Sequence, residues 1–159
     1  MTISSDMLAS WRRPRAILRS HLARGVSEPF AFTLLLVFLI LTFIGQWPAA
    51  ARDAYLAGEP SAAPRILARG LAVLATIPLW YLLAGLSRLV ARLMGGTGTW
   101  YAARIALFWA LATVSPLMLL QGLVAGIIGP GPALGLVTTV AGGAFLWLWL
   151  TMLHEAEHG

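Results

Sequence analysis

The chain has 159 residues, 59% of them hydrophobic and only 11% charged, a balance outside that of soluble domains and inside that of membrane proteins. Its formal net charge of +5 rests on arginine alone, and the arginines flank apolar runs without the aromatic interleaving that stacks bases, so nucleic acid is excluded as a partner. No cysteine is present, which excludes disulfides, thiolate catalysis and cysteine-ligated metal centres.

Residues 1–29 are polar and arginine-rich, yet Met7, Leu8, Trp11, Leu18 and Leu22 share one face at the helical period. The spacing predicts an amphipathic interfacial helix, best over Pro14–Arg24, with Pro14 at its first position and Gly25 as its stop. Arg12, Arg13, Arg15, Arg19 and Arg24 ring that face and are candidate contacts for anionic lipid headgroups or a partner; their plainer role is to orient the first span.

Ser27-Glu28-Pro29 reads as a helix start, and 30–47 then runs without a charge, long enough to cross about 30 Å of hydrocarbon. Basic residues before it and small residues after it invite comparison with a signal peptide, but the apolar stretch is too long, so it reads as a retained anchor. Residues 49–69 carry Arg52, Asp53, Glu59 and Arg65 with several prolines, the composition of an exposed connection with one short interfacial helix near 49–57.

The second span is 70–94. Arg88 and Arg92, four apart in its last turns, share a helix face. They read as snorkelling arginines or, with Arg104 across the next loop, as a clamp for a lipid headgroup. The loop Gly95-Gly96-Thr97-Gly98-Thr99 lacks the strand, lysine and spacing of a phosphate-binding loop and reads as a flexible turn. The third span, 105–129, should kink at Pro116, and Gln121 beyond it should hydrogen-bond across helices. Gly129-Pro130-Gly131-Pro132 forces a tight hairpin into the fourth span, 133–153. Gly122 with Gly126, Gly131 with Gly135, and Gly142-Gly143 permit close helix approach, inside the bundle or in a homo-oligomer.

The fold class is therefore all-α: a polytopic bundle of four transmembrane helices over 30–153, preceded by a basic cytoplasmic segment, 1–29, and followed by a polar tail, 154–159. Counted against Arg52, Arg65 and Arg69, the eight arginines at 12, 13, 15, 19, 24, 88, 92 and 104 place both termini in the cytoplasm. The tail His154-Glu155-Ala156-Glu157-His158 matches the HExxH zinc pattern in form, but without a third ligand or a shielded pocket it reads as a solvated tail. No Asp, Glu, Lys or His occurs inside any span, which argues against a proton or ion pump. No catalytic residue, metal or cofactor is predicted. A solute path through the third and fourth helices would be lined by Thr113, Ser115 and Gln121.

At Leu93-Met94-Gly95-Gly96-Thr97-Gly98-Thr99, followed by Ser115-Pro116 in an apolar helix and then a glycine-rich hairpin, the chain resembles the Yip family of membrane proteins, named for interaction with Ypt/Rab GTPases. The resemblance implies a multispan helical module with a cytoplasmic N-terminus and no catalytic residues. Eukaryotic members are linked to vesicle traffic, and members commonly have five spans where four are found here. The all-arginine usage and Ala/Gly/Leu richness look bacterial, which implies an inner-membrane protein without Rab partners. The reading is a non-enzymatic protein that organises membrane lipid or a partner membrane protein; the alternatives are a permeation pathway or an accessory subunit of a larger membrane complex.

Overall fold

A computed structural model of the chain describes residues 3–159, which form seven helices and no strand. Two short helices, α1 (Ile3–Ser10) and α2 (Pro14–Leu22), precede α3 (Glu28–Leu56), α4 (Ala63–Ala75), α5 (Ile77–Leu93), α6 (Trp100–Ile127) and α7 (Pro132–His158). By length and hydropathy there are four membrane crossings: α3, the continuous stretch Ala63–Leu93 made of α4 and α5, α6, and α7. They alternate in direction. The start of α3, the α5–α6 loop and the last turns of α7 therefore share one end of the bundle with α1 and α2. We call it the near end; the α3–α4 and α6–α7 connections form the far end.

The first crossing is longer than its apolar run. Ser27 caps α3 by accepting from the Phe30 N–H at 3.4 Å, and Pro29 occupies its first turn. Where a separate interfacial helix was expected near 49–57, α3 continues through Pro48 to Leu56. The reason is packing. Ala31, Leu34, Leu35, Phe38, Gly45, Ala50 and Ala54 form one buried stripe at the helical period, and alanines after Pro48 favour the helix intrinsically. Helix α6 accommodates the proline: a Cβ at Gly126 would strike Pro48, and one at Gly122 would strike the Gly45 carbonyl oxygen.

The second crossing extends over Ala63–Leu93 and is interrupted at Thr76. Pro78 cannot donate to the preceding turn, and Thr76 fills the break by donating to the Val73 carbonyl at 2.6 Å and accepting from Trp80 Nε1 at 3.0 Å. This crossing lies on the outside of the bundle. No residue of α4 is buried, and only Ala84 and Arg88 of α5 are.

Helix α6 is the centre. It packs along α3 on one side and α7 on the other, and it passes Pro116 without splitting, the proline ring lying at an exposed position. From Tyr101 to Ser115 every side chain except Arg104 is buried. About 20 helical residues cross ~30 Å of hydrocarbon. Counted back from Ile127 that distance reaches Leu107–Phe108, and counted forward from Pro132 on α7 it reaches Thr151–Met152. Counted in this way, the surplus turns of both helices fall at the near end, where α1 and α2 pack against them.

Candidate functional site: the arginine-bearing end

The amphipathic segment folds as a helical hairpin docked on the bundle. Helix α2 starts at Pro14, as the sequence implies, and Gly25 leaves it in the left-handed region at φ +89°. Its Ile17, Leu18 and His21 are buried, whereas Leu8 and Trp11, on the same predicted face, are exposed because α1 turns away at residues 11–13. Ser10 pins the turn: its Oγ donates to the Asp6 carbonyl at 2.7 Å and accepts from Trp109 Nε1 at 2.8 Å. Asp6, 3% exposed, faces Arg24 at 3.8 Å. His21 lies between Phe30 and Trp109, with ring centroids 5.5 and 4.1 Å away and no hydrogen-bond partner on either nitrogen. Burial pushes its pKa below the ordinary histidine value, Arg24 adds to the shift, and Asp6 opposes it.

The last turns of α7 are not a solvated tail. The helix runs to His158, and Glu155 and Glu157 are buried. Glu155 Oε1 accepts from Arg19 Nε, which raises the Arg19 pKa through the hydrogen bond and the charge. Glu157 Oε2 accepts from Arg88 Nη1 at 2.8 Å and from the Gly98 N–H at 3.1 Å, while its carbonyl accepts from the Thr97 N–H at 3.0 Å and Thr97 Oγ1 at 3.2 Å. Arg88 Nη1 also donates to the Gly96 carbonyl at 3.3 Å. The glycines are required by this approach: a Cβ at Gly96 would lie 2.6 Å from Glu157 Oε2, and one at Gly98 would strike the Ala156 carbonyl. The loop read as a flexible turn thus binds an oxyanion, the chain's own carboxylate.

The arginines divide into two populations. Arg19, Arg24, Arg88 and Arg104 each face a carboxylate, Glu155, Asp6, Glu157 and Glu28 respectively. Arg88 and Arg92 share a face by spacing, yet Arg88 is 9% exposed and turned to Glu157, and Arg92 stays exposed. Arg88, Arg92 and Arg104 are therefore not assembled as a clamp. Arg12, Arg13, Arg15 and Arg92 are exposed and have no carboxylate partner among the described residues. At the far end all three arginines are engaged. Arg52 donates to the Ile127 carbonyl at 3.3 Å at the end of α6, Arg65 to Glu59, and Arg69 to Asp53 and Gln46. The hydrogen bond from Arg65 holds the Glu59 carboxyl below its ordinary range.

The packing glycines divide as well. Gly122 and Gly126 lie against α3, whereas a Cβ at Gly131, Gly135, Gly142 or Gly143 would meet nothing within 4 Å. Gln121 Nε2 donates across helices to Thr138 Oγ1 at 2.8 Å. In the HExxH pattern the two histidine rings stack at 4.8 Å, but Glu155 turns inward to Arg19, and no group of three potential ligands forms among the described residues. Sequence reasoning missed Asp6, Ser10 and Trp109 as one buried polar contact, and Glu155 and Glu157 as inward anchors. The only trace of the latter is that glutamates two apart on an otherwise apolar helix coincide with arginines elsewhere.

Comparison with curated proteins and with solved structures gives no match. The family model for the Yip1 domain matches residues 8–159, which includes α2, the glycine loop and all four crossings. The chain is a Yip-type multipass membrane protein and belongs to the Yip1-domain family.

Proposed function

We propose that this Yip1-domain protein is non-enzymatic and uses its near end to organise membrane lipid or a partner membrane protein. The observation that carries the proposal is the asymmetry of free positive charge. All far-end arginines are engaged by the chain itself, whereas Arg12, Arg13, Arg15 and Arg92 at the near end are exposed without a carboxylate. Exposed guanidinium groups beside a membrane attract anionic headgroups or an acidic partner surface. The buried carboxylates at this end each face an arginine and are poorly placed to act as general acids or bases. Thr113 and Ser115, which a solute path would use, are 1% exposed within α6, and Ser115 donates to its own helix at the Ala112 carbonyl.

The same asymmetry supports a cytoplasmic near end, with both termini inside a bacterial inner membrane. Introduced cysteines at Ser61 (far end) and Met94 (near end), both exposed, test the orientation. An impermeant thiol reagent applied to intact cells should label Ser61→Cys alone; labelling at position 94 alone reverses the assignment. The role itself is tested by mild-detergent purification of the wild type and of a variant with Arg12, Arg13, Arg15 and Arg92 all replaced by glutamine. Loss of co-purifying anionic lipid or of a stoichiometric membrane protein is expected; an unchanged complement defeats the proposal.

A further inference from the structure

We propose that the turn between α1 and α2, together with α7, forms a binding site for the phosphate headgroup of an anionic membrane phospholipid. The inference rests on the near-end reading above and gives it a location. Arg12, Arg13, Arg15 and Arg19 on one wall and Trp147 and Thr151 on the other enclose an open groove of about 560 Å³, within the range of ~300–1,000 Å³ usual for ligand sites. Three of these arginines have no carboxylate among the described residues, and the fourth shares its charge with Glu155, so the groove holds net positive charge.

Depth decides the source of the anion. Counting about 20 residues of α7 from Pro132 puts the edge of the hydrocarbon near Thr151–Met152, so the groove straddles the boundary where phospholipid phosphates lie. The α6 count agrees, because Ser10, just before the turn, is hydrogen-bonded to Trp109, within a turn of the level reached from Ile127. Trp147 is half exposed at the hydrocarbon side of the groove, and Leu146 and Leu150 beside it on α7 are exposed as well, which gives the lipid's acyl chains an apolar wall below the arginines. A soluble phosphate gains nothing from that wall. A phosphodiester carried on two chains uses both halves.

Native mass spectrometry of the full chain, released from detergent after incubation with phosphatidylglycerol or phosphatidylcholine, tests the site. The wild type should retain phosphatidylglycerol in preference to phosphatidylcholine. Replacing Arg12, Arg13 and Arg15 with glutamine should weaken that retention by roughly tenfold or more, while Arg65→Gln, at the far end where Glu59 engages it, leaves it unchanged. An unaltered thermal midpoint of the triple variant in the same detergent verifies that it is folded. If the wild type retains phosphatidylglycerol and the triple variant retains it equally, the groove is refuted while the near-end reading stands; if Arg65→Gln loses it as fully, both are refuted. If the wild type shows no preference for the anionic lipid, lipid organisation at the near end fails with it. Displacement of the lipid by millimolar inorganic phosphate overturns the assignment to a membrane lipid.

Discussion

Glu157 closes on Arg88 across sixty-nine positions of sequence, with 2.8 Å between carboxylate and guanidinium and both side chains nearly sealed from solvent. One contact thereby joins the last turn of α7, the end of α5 and the glycine loop between α5 and α6. Removing one member of a buried pair leaves an uncompensated charge, whereas replacing both by apolar groups of similar size is close to neutral. Glu157→Ala should therefore destabilise the protein by about 3–5 kcal/mol, and the double variant Arg88→Met with Glu157→Met should recover most of the loss. Denaturant unfolding in a mild detergent measures this. A Glu157→Ala variant as stable as the wild type would show that the pair is incidental.

The glycines of α6 and α7 should respond oppositely to alanine. At Gly122 the new methyl group strikes the Gly45 backbone, which cannot move without parting α3 from α6, so Gly122→Ala should cost about 1–3 kcal/mol. At Gly143 the methyl group meets open space, and the better helix former should leave stability unchanged or raise it by up to about 1 kcal/mol. Thermal midpoints of the two variants settle the matter; equal losses at both sites would contradict the α3–α6 crossing.

His21 makes the docking of the N-terminal hairpin sensitive to pH. Its folded pKa lies below the value in the unfolded chain, so the folded state disfavours the imidazolium. Stability is full above the unfolded value of about 6.5, falls as pH drops from there through the folded pKa, and levels off below it. The facing groups are Asp6, Arg24, Phe30 and Trp109. The thermal midpoint should fall between about pH 7.5 and about pH 5, and His21→Phe, which fills the same aromatic slot without ring nitrogens, should flatten that fall. An unaltered slope in the variant would assign the pH dependence elsewhere.

Ser10 and Trp109 together hold α1. Ser10→Ala deletes the hydroxyl and leaves the buried Trp109 Nε1 without its acceptor, at a cost of about 1–3 kcal/mol. The loss should be local: hydrogen exchange across 3–10 should accelerate while α6 beyond Pro116 keeps its protection. Uniform acceleration along the chain would mean that the hairpin is not a separable unit.

The crossings were legible because hydrocarbon demands about 20 apolar residues of each of them, and a run such as 105–129 has no other way to satisfy its backbone. Gly25 and Pro14 likewise announced the ends of α2 by local backbone preference. The continuation of α3 through Pro48 was not legible, since it depends on a partner helix offering Gly122 and Gly126 at the right height. Spacing put Arg88 and Arg92 on one face, but only Glu157, far away in sequence, determines that Arg88 turns inward. Glu155 and Glu157 read as part of a solvated tail for the same reason: a charge is identified as buried only once its counter-charge is known.

The hairpin of α1 and α2 has a temporal consequence. It is translated before the surface that receives it: Trp109 follows its partner Ser10 by 99 positions, and Glu155 follows Arg19 by 136. At typical synthesis rates the earliest helices wait on the order of ten seconds for the surface that receives them. During that interval His21, Leu18 and Asp6 lack the α6 and α7 surfaces that help bury them in the finished fold. Closure of the near end thus waits on α7, whose final turns receive α2.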